Sequence, residues 1–324
     1  GAGFACGGFC IQFGCDWMAF LYASIAAIIG MRVRAKCNES GLNHYMGIAI
    51  SAFIATMLAW ASTLLPAEWT STPWHPLLAC ALFIVPGVPL INFVDDMLDN
   101  YIQVGIVRAV NTLLMVSAMA FGIAFAVKLC SIGDFFPTIS MVPHHNYLEY
   151  AIAAAISAMG FSMIFNIQRR LLWVVAIGGI IAVCTRNFVN LGPSTNNIGL
   201  DMGLVIGSFS GSVLVSLIAI KAVHWFHVPN HVLTIPSVIP MIPGVLMYRM
   251  LFGLINMNVQ SIDQVTPLMK AIESGVNSGL VIMCIALGVA IPNIFGRKYI
   301  ASSKNKRLAE ILKERKARGK FVEW

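Results

Sequence analysis

Charge is what this sequence lacks. Asp, Glu, Lys and Arg make up only 11% of its 324 residues, against about 25% in an ordinary soluble domain. So few charges cannot coat a soluble globule of this size, which excludes a soluble enzyme, a secreted disulfide scaffold and a disordered chain together. Other absences narrow the field. No glycine-rich phosphate loop is present, which argues against ATP hydrolysis within the chain. The histidines His44, His75, His144, His145, His224, His227 and His231 fall in loops or at the ends of apolar runs. None is placed mid-membrane to activate a serine or join a zinc site, which argues against an enzyme. Cys6 and Cys10 lie one helical turn apart, but no second pair completes a tetrahedral metal site. Most of the eight cysteines read as small buried side chains. No cofactor or metal is implied, and barrel-type alternation is missing.

What is present is apolar sequence: 58% of residues are hydrophobic and the mean hydropathy is +0.79. The fold class this dictates is an all-α polytopic membrane protein. Ten candidate spans stand out, at 1–13, 17–34, 44–65, 76–94, 101–128, 147–166, 170–190, 200–223, 233–255 and 272–295. The first is shorter than the roughly 20 residues a crossing needs, so the chain is expected to begin partway through a span. No basic segment precedes it, so it is not a signal peptide.

The net charge of +7 is concentrated at one end, with ten of the 21 Lys and Arg between Arg297 and Lys320. The remainder is balanced, which argues against a nucleic-acid partner and for a tail on the cytoplasmic face of an anionic bilayer. That tail reads equally as an amphipathic surface helix or as a solvated segment. Arg32, Arg34 and Lys36, then Arg169 and Arg170, then Lys221 and the tail all follow even-numbered spans. They share one side, the cytoplasm, which places both termini there.

The chain repeats itself. MGIAISAFIATML (46–58) matches MGLVIGSFSGSVL (202–214) at an offset of 156. Gly3-Phe4 matches Gly160-Phe161, and Pro86-Gly87-Val88 matches Pro243-Gly244-Val245, both at 157. NTLLMVSAMAFGIA (111–124) matches NSGLVIMCIALGVA (277–290) at 166. Each half is a five-span unit in the same order. A direct repeat of an odd number of spans crosses the membrane in opposite senses, so two inverted five-helix repeats are expected. Residues 1–129 form the first, 147–296 the second, and 297–324 the tail.

Candidate site residues follow from this symmetry. Pro86-Gly87 and Pro243-Gly244 break the fourth and ninth spans at matching positions. Backbone groups freed in lipid must be satisfied by protein or by a wet cavity, so the breaks mark either a midplane binding site or paired packing kinks. Asn92 aligns with Arg249, which has Tyr248 beside it. Arg249 either holds a carboxylate or reaches the outer interface. Asn92, Asp95, Asp96 and Asp99 share one helical face near the cytoplasmic end of the fourth span. They either attract an ammonium group or a proton, or form a solvated acidic end. Arg108 lies one turn before Asn111. Asn111 and its repeat partner Asn277 either bond between helices or touch substrate. The small-residue ridges Gly47, Ser51, Ala55 and Gly203, Gly207, Gly211 read as close helix contacts.

The runs GAGFACGGF, LLACALFIVPGVPLINFVDDML, FSMIFNIQRRLLW and VIPMIPGVLMYRMLFGLI resemble the threonine/serine exporter family, over nearly the whole chain to about residue 296. The resemblance implies two five-span units, fused or made as separate subunits, that export small hydrophilic metabolites across the inner membrane. Fused members are associated with threonine and serine, and the split form with succinate. Fused members usually carry a further soluble N-terminal region, which this sequence does not show. Taken together, the expectation is a secondary exporter of threonine and serine, working by alternating access with the proton as coupling ion. Asn92, Arg249 and the broken-helix ends would hold the substrate carboxylate, and Asp95 or Asp96 the ammonium or the proton. A dicarboxylate exporter relying on Arg249 and Arg108, and a channel-like pore, are the alternatives. The partners expected are a small polar metabolite and the lipid bilayer, and a homo-oligomer is compatible with the sequence.

Overall fold

The computed structural model describes residues 1–64, 66, 69–130, 145–193, 198–255 and 265–317. Among the described residues all regular secondary structure is helical. The helices are α1 (Ala2–Gln12), α2 (Trp17–Glu39), α3 (His44–Trp60), α4 (His75–Ala79), α5 (Gly87–Leu98), α6 (Ile102–Leu129), α7 (Tyr147–Ile164), α8 (Leu172–Asn190), α9 (Leu204–Phe226), α10 (Asn230–Val238), α11 (Gly244–Ile255) and α12 (Val265–Ala317).

Seven of these helical segments are long and apolar enough to cross a bilayer, and nine if each of two bent pairs counts as one span. Ala2–Gln12 is apolar but shorter. The ten runs in the sequence therefore correspond, in order, to ten helical elements, of which two are broken. Starts are set by local chemistry. The Asp16 carboxylate caps α2 by accepting the Ala19 N–H at 2.7 Å, and Asn43 caps α3 through the Tyr45 N–H at 2.9 Å. Asn146 and Glu149 form a capping box at α7.

The breaks fall at the two Pro-Gly pairs. Proline pushes its predecessor out of the helical region, and Val85 and Ile242 adopt ψ of 121° and 128°. The chain bends by 56° between His75–Ile84 and Gly87–Leu98, and by 61° between Asn230–Met241 and Gly244–Leu251. The 3-10 turns Leu82–Ile84 and Ile239–Met241 precede them, and these turns and the helices α5 and α11 have the same bounds shifted by 157 residues. Even the turn bonds match: Gly87 N–H to Val85 O at 2.8 Å and Gly244 N–H to Ile242 O at 2.8 Å.

Packing follows the same duplication. In the first half α1 packs on α2, α2 on α3, α3 on α6 and α5 on α6; in the second, α7 on α8, α8 on α9, α9 on α12 and α11 on α12. Between halves, α5 packs on α12 and α6 on α11, a reciprocal exchange. The first helices of the two halves, α1 and α7, run antiparallel. Gly1 lies against Gly160 and Ile164, Gly160 against Ala5, and Gly8 against Ala153 and Ser157. The Ser157 hydroxyl donates to Ala5 O at 3.2 Å. One apolar core runs through both halves and includes Ile84, Ile91, Ile239, Ile242 and Ile285. Val107, Leu113, Phe121, Phe125, Trp173 and Phe295 point outward and are exposed. On a soluble surface such a patch would drive aggregation; in lipid it is the acyl-facing side.

Part of the second small-residue ridge brings helices together, while Gly203 lies before α9 with nothing within 4 Å of its Cβ position. Gly207 backs onto Arg186 O and Gly211 onto Ala182 O, so α9 lies close along α8. The basic tail continues α12 without interruption to Ala317 rather than forming a separate surface helix. Residues after 317, and the side chains of 265–267, 297–312 and 314–317, lie outside the described residues.

Candidate functional site

Two cavities lie between the hinges and the end of the bundle that carries Arg34, Asp95, Asp96 and Arg169. The first, of about 480 Å³, is lined by Val88, Asn92, Asp95, Asp96 and Arg108 from the first half, and by Phe165, Ile167, His231, Val232, Ile235 and Pro236 from the second. The second, of about 340 Å³, is lined by Met31, Arg34, Ala35 and Asn38 of α2, by the hinge from Phe83 to Pro89, and by Met115, Phe161, Ile164 and Phe165. Both volumes fall in the range of small-molecule sites. Val88 and Phe165 line both, so the cavities abut.

The first cavity carries both signs of charge. Asp96 Oδ2 lies 2.6 Å from an Arg108 guanidinium nitrogen, joining the C-terminal part of α5 to the start of α6. Although that contact is close, Asp96 Oδ2 has no aligned hydrogen-bond donor, so the attraction is Coulombic. The Arg108 side chain is 44% exposed and that of Asp96 22%, and a pair so placed adds at most about 1 kcal/mol of stability. Its value is in the charges it presents to the cavity. Asn92, Asp95 and Asp96 come together here because they share one face of α5, as their spacing requires. Asp99 caps the helix end and does not line the cavity.

The other sequence-derived candidates are placed differently. Pro86 and Gly87 line the second cavity. Pro243 and Gly244 are buried at the second hinge, against the first. Arg249 lines neither cavity. The Tyr248 side chain lies outside the described residues. Asn111 accepts the Tyr45 hydroxyl at 2.7 Å, an interhelical bond between α3 and α6. Asn277 is exposed and lines neither cavity. Arg34, Phe165, His231 and Pro236 were not singled out by the sequence. Arg34 lies four residues after Gly30, whose face packs on Phe83 beside the hinge; that i, i+4 relation is a signal the basic-residue count concealed. His231 is one turn before Ile235, and both line the first cavity.

At the opposite end of the bundle, described loop segments are tied together. Asp16, before α2, accepts the Thr70 hydroxyl at 2.8 Å and the Ser71 N–H at 2.7 Å besides its own cap bond. Its N–H donates to the Thr72 hydroxyl at 3.0 Å. Burial raises the Asp16 carboxyl, but these donors outweigh it and hold the group below its ordinary value. His145, before α7, bridges the halves: Nε2 lies 2.8 Å from Cys15 O and Nδ1 2.7 Å from Glu149. Since a carbonyl only accepts, Nε2 is the donor in the first contact.

Comparison with known proteins agrees with this architecture. Residues 1–130 match a family described as "Putative threonine/serine exporter", and residues 150–295 match one described as "Threonine/Serine exporter, ThrE". The chain belongs to the threonine/serine exporter family. The boundary between the two matches falls between α6 and α7, where the repeat divides. A protein of Klebsiella aerogenes named "Probable succinate transporter subunit YjjP" is 29% identical over 127 residues, 39% of this chain and 49% of that protein. Its counterpart from Escherichia coli (strain K12) is 28% identical over 127 residues, with the same coverage. The chain spans about half the length of these curated relatives. No solved structure matches it. Its helices and its family together make it a multi-pass membrane protein.

Proposed function

We propose that the chain is a secondary carrier that exports small amino acids, threonine and serine, from the cytoplasm across the inner membrane by alternating access. The observation that supports this best is the first cavity, which reaches the hinge region and presents Asp95, Asp96 and Arg108 together. A zwitterion needs partners of both signs, because leaving either charge unpaired in lipid is costly. A dicarboxylate needs two cations, and Arg108 is the one Lys or Arg that lines this cavity, beside Asp95 and Asp96. The relatives named for succinate keep that substrate as the alternative to be tested.

By the positive-inside rule the end bearing Arg34 and Arg169 is cytoplasmic, so the cavities open inward and the tied end faces out. The antiparallel contact of α1 and α7 supports inverted repeats. In the outward-open state the second half then supplies the lining, with Arg249 in the place Asn92 holds inward. Asp95 and Asp96 receive the ammonium group or the coupling proton.

The test is counterflow in proteoliposomes. Labelled threonine and serine should exchange saturably, and succinate should not compete. Exchange of succinate alone would replace the amino-acid reading, and unsaturable flux would make the protein a pore. Asp96→Asn should flatten the pH dependence of exchange. An unchanged profile, with Asp95→Asn also unchanged, would assign both carboxylates to solvent.

A further inference from the structure

We infer that the second cavity is the carboxylate-recognition site, with Arg34 as the residue that binds the carboxylate. This rests on the carrier reading and extends it to a residue that neither the repeat nor the family resemblance singles out. Arg34 has no hydrogen bond or ion pair among the described residues. It nevertheless lines a cavity of about 340 Å³ set against the broken helix, and no Asp or Glu lines that cavity with it. A guanidinium without an acidic partner at such a place offers a planar fork of donors that matches a carboxylate.

The position of Arg34 is fixed by packing. Gly30, one turn earlier on α2, lies against the Phe83 ring, close enough that a Cβ there would meet it at 2.9 Å. The same face of α2 therefore carries Arg34 to the level of Pro86 and Gly87. The α5 end in that cavity adds to the positive potential. Gly87 N–H is used by Val85 O, Pro89 has no N–H, and Leu90 N–H is used by Pro86 O. The Val88 N–H has no partner among the described residues.

Charge is thus divided between two abutting cavities. Arg34 stands alone in the second, while Asp95 and Asp96 stand with Arg108 in the first. An α-amino acid seated at their junction, between Val88 and Phe165, directs its carboxylate to Arg34 and its ammonium to the acidic pair.

The experiment uses the full chain in proteoliposomes, with whichever of threonine, serine and succinate the wild type exchanges; all three bear a carboxylate. Arg34→Gln should raise the KM about tenfold or more, the scale of a lost charge-assisted pair. Arg34→Lys, which keeps the charge but not the fork, should fall between. Arg32→Gln removes a charge two residues away on an exposed face of the same helix, and should leave the KM within about twofold. An equal rise in Arg32→Gln and Arg34→Gln would reduce the effect to surface charge and overturn the site. For an amino-acid carrier, threoninol supplies the second readout, since it lacks only the carboxylate. Its inhibition constant should be unchanged by Arg34→Gln; a shift equal to that of threonine would place Arg34 on a lipid phosphate or in a structural role. If succinate alone is exchanged, the amino-acid reading fails while a rise in its KM in Arg34→Gln still supports this site. Absence of saturable exchange for all three would overturn both.

Discussion

Gly87 faces Ile242 across the middle of the protein. A Cβ on Gly87 would lie 3.0 Å from Ile242 and 3.1 Å from Ile239, and one on Gly244 would lie 2.7 Å from Leu82 and 3.2 Å from Val85. Ile239 and Ile242 are the repeat counterparts of Leu82 and Val85, so each hinge glycine receives the side chains that precede the other hinge. The atoms met are mostly the ends of side chains, which can shift by tenths of an ångström.

Gly87→Ala and Gly244→Ala should therefore retain exchange, while Gly87→Val and Gly244→Val should lower it at least about tenfold. Overpacking of this kind costs about 1–3 kcal/mol. Counterflow together with thermal unfolding in detergent would show it. Valine variants as active as the wild type would mean that the hinges do not have to stay in contact.

At the α1–α7 contact the neighbours are backbone atoms, which cannot turn aside. Gly160→Ala would press on Ala5 and Gly8→Ala would sit 2.6 Å from Ala153 O. Each should destabilise by about 1–3 kcal/mol. Gly279 has nothing within 4 Å of its Cβ position, so Gly279→Ala should be neutral or stabilising by up to about 1 kcal/mol. A melting series of the three variants tests the contact directly.

Asp16 should matter by pH in a defined direction. Its folded carboxyl titrates below the ordinary value, so its stabilisation is fully present above the unfolded pKa of about 3.9 and is lost as pH falls through the lower folded one. Asp16→Ala should cost about 1–2 kcal/mol, constant from pH 5 to 8 and shrinking below about pH 4. A penalty that disappears near neutrality would contradict the bonding described.

Orientation can be read by chemical access. Val232→Cys or Ile235→Cys, both in the first cavity, should react with an impermeant maleimide applied to the cytoplasmic side. Reaction from the outer side instead would reverse the topology. The wild type, with its own cysteines, sets the background.

Much of this architecture could be read from the sequence. Long apolar runs dictate helices, and Pro86-Gly87 and Pro243-Gly244 dictate breaks, because proline removes a donor wherever it falls. The acidic face of α5 was legible because i, i+3, i+4 spacing is local. What was hidden depends on how the halves meet. The alignment of Asn92 with Arg249 gave their equivalence but not that Asn92 alone of the two lines a cavity. Arg34 reads as one basic residue among three at a span end, and its face is set only by Gly30 against Phe83. His231 sits at a span end as expected, yet α10 brings that end to the cavity.

The final helix has a practical consequence. Its apolar stretch ends at Gly296, and the backbone stays helical to Ala317, about 30 Å further at 1.5 Å per residue. Among the described residues this gives the chain a long helical extension beyond its apolar part, a place to carry a fused tag or binding protein by which images of the particle could be aligned.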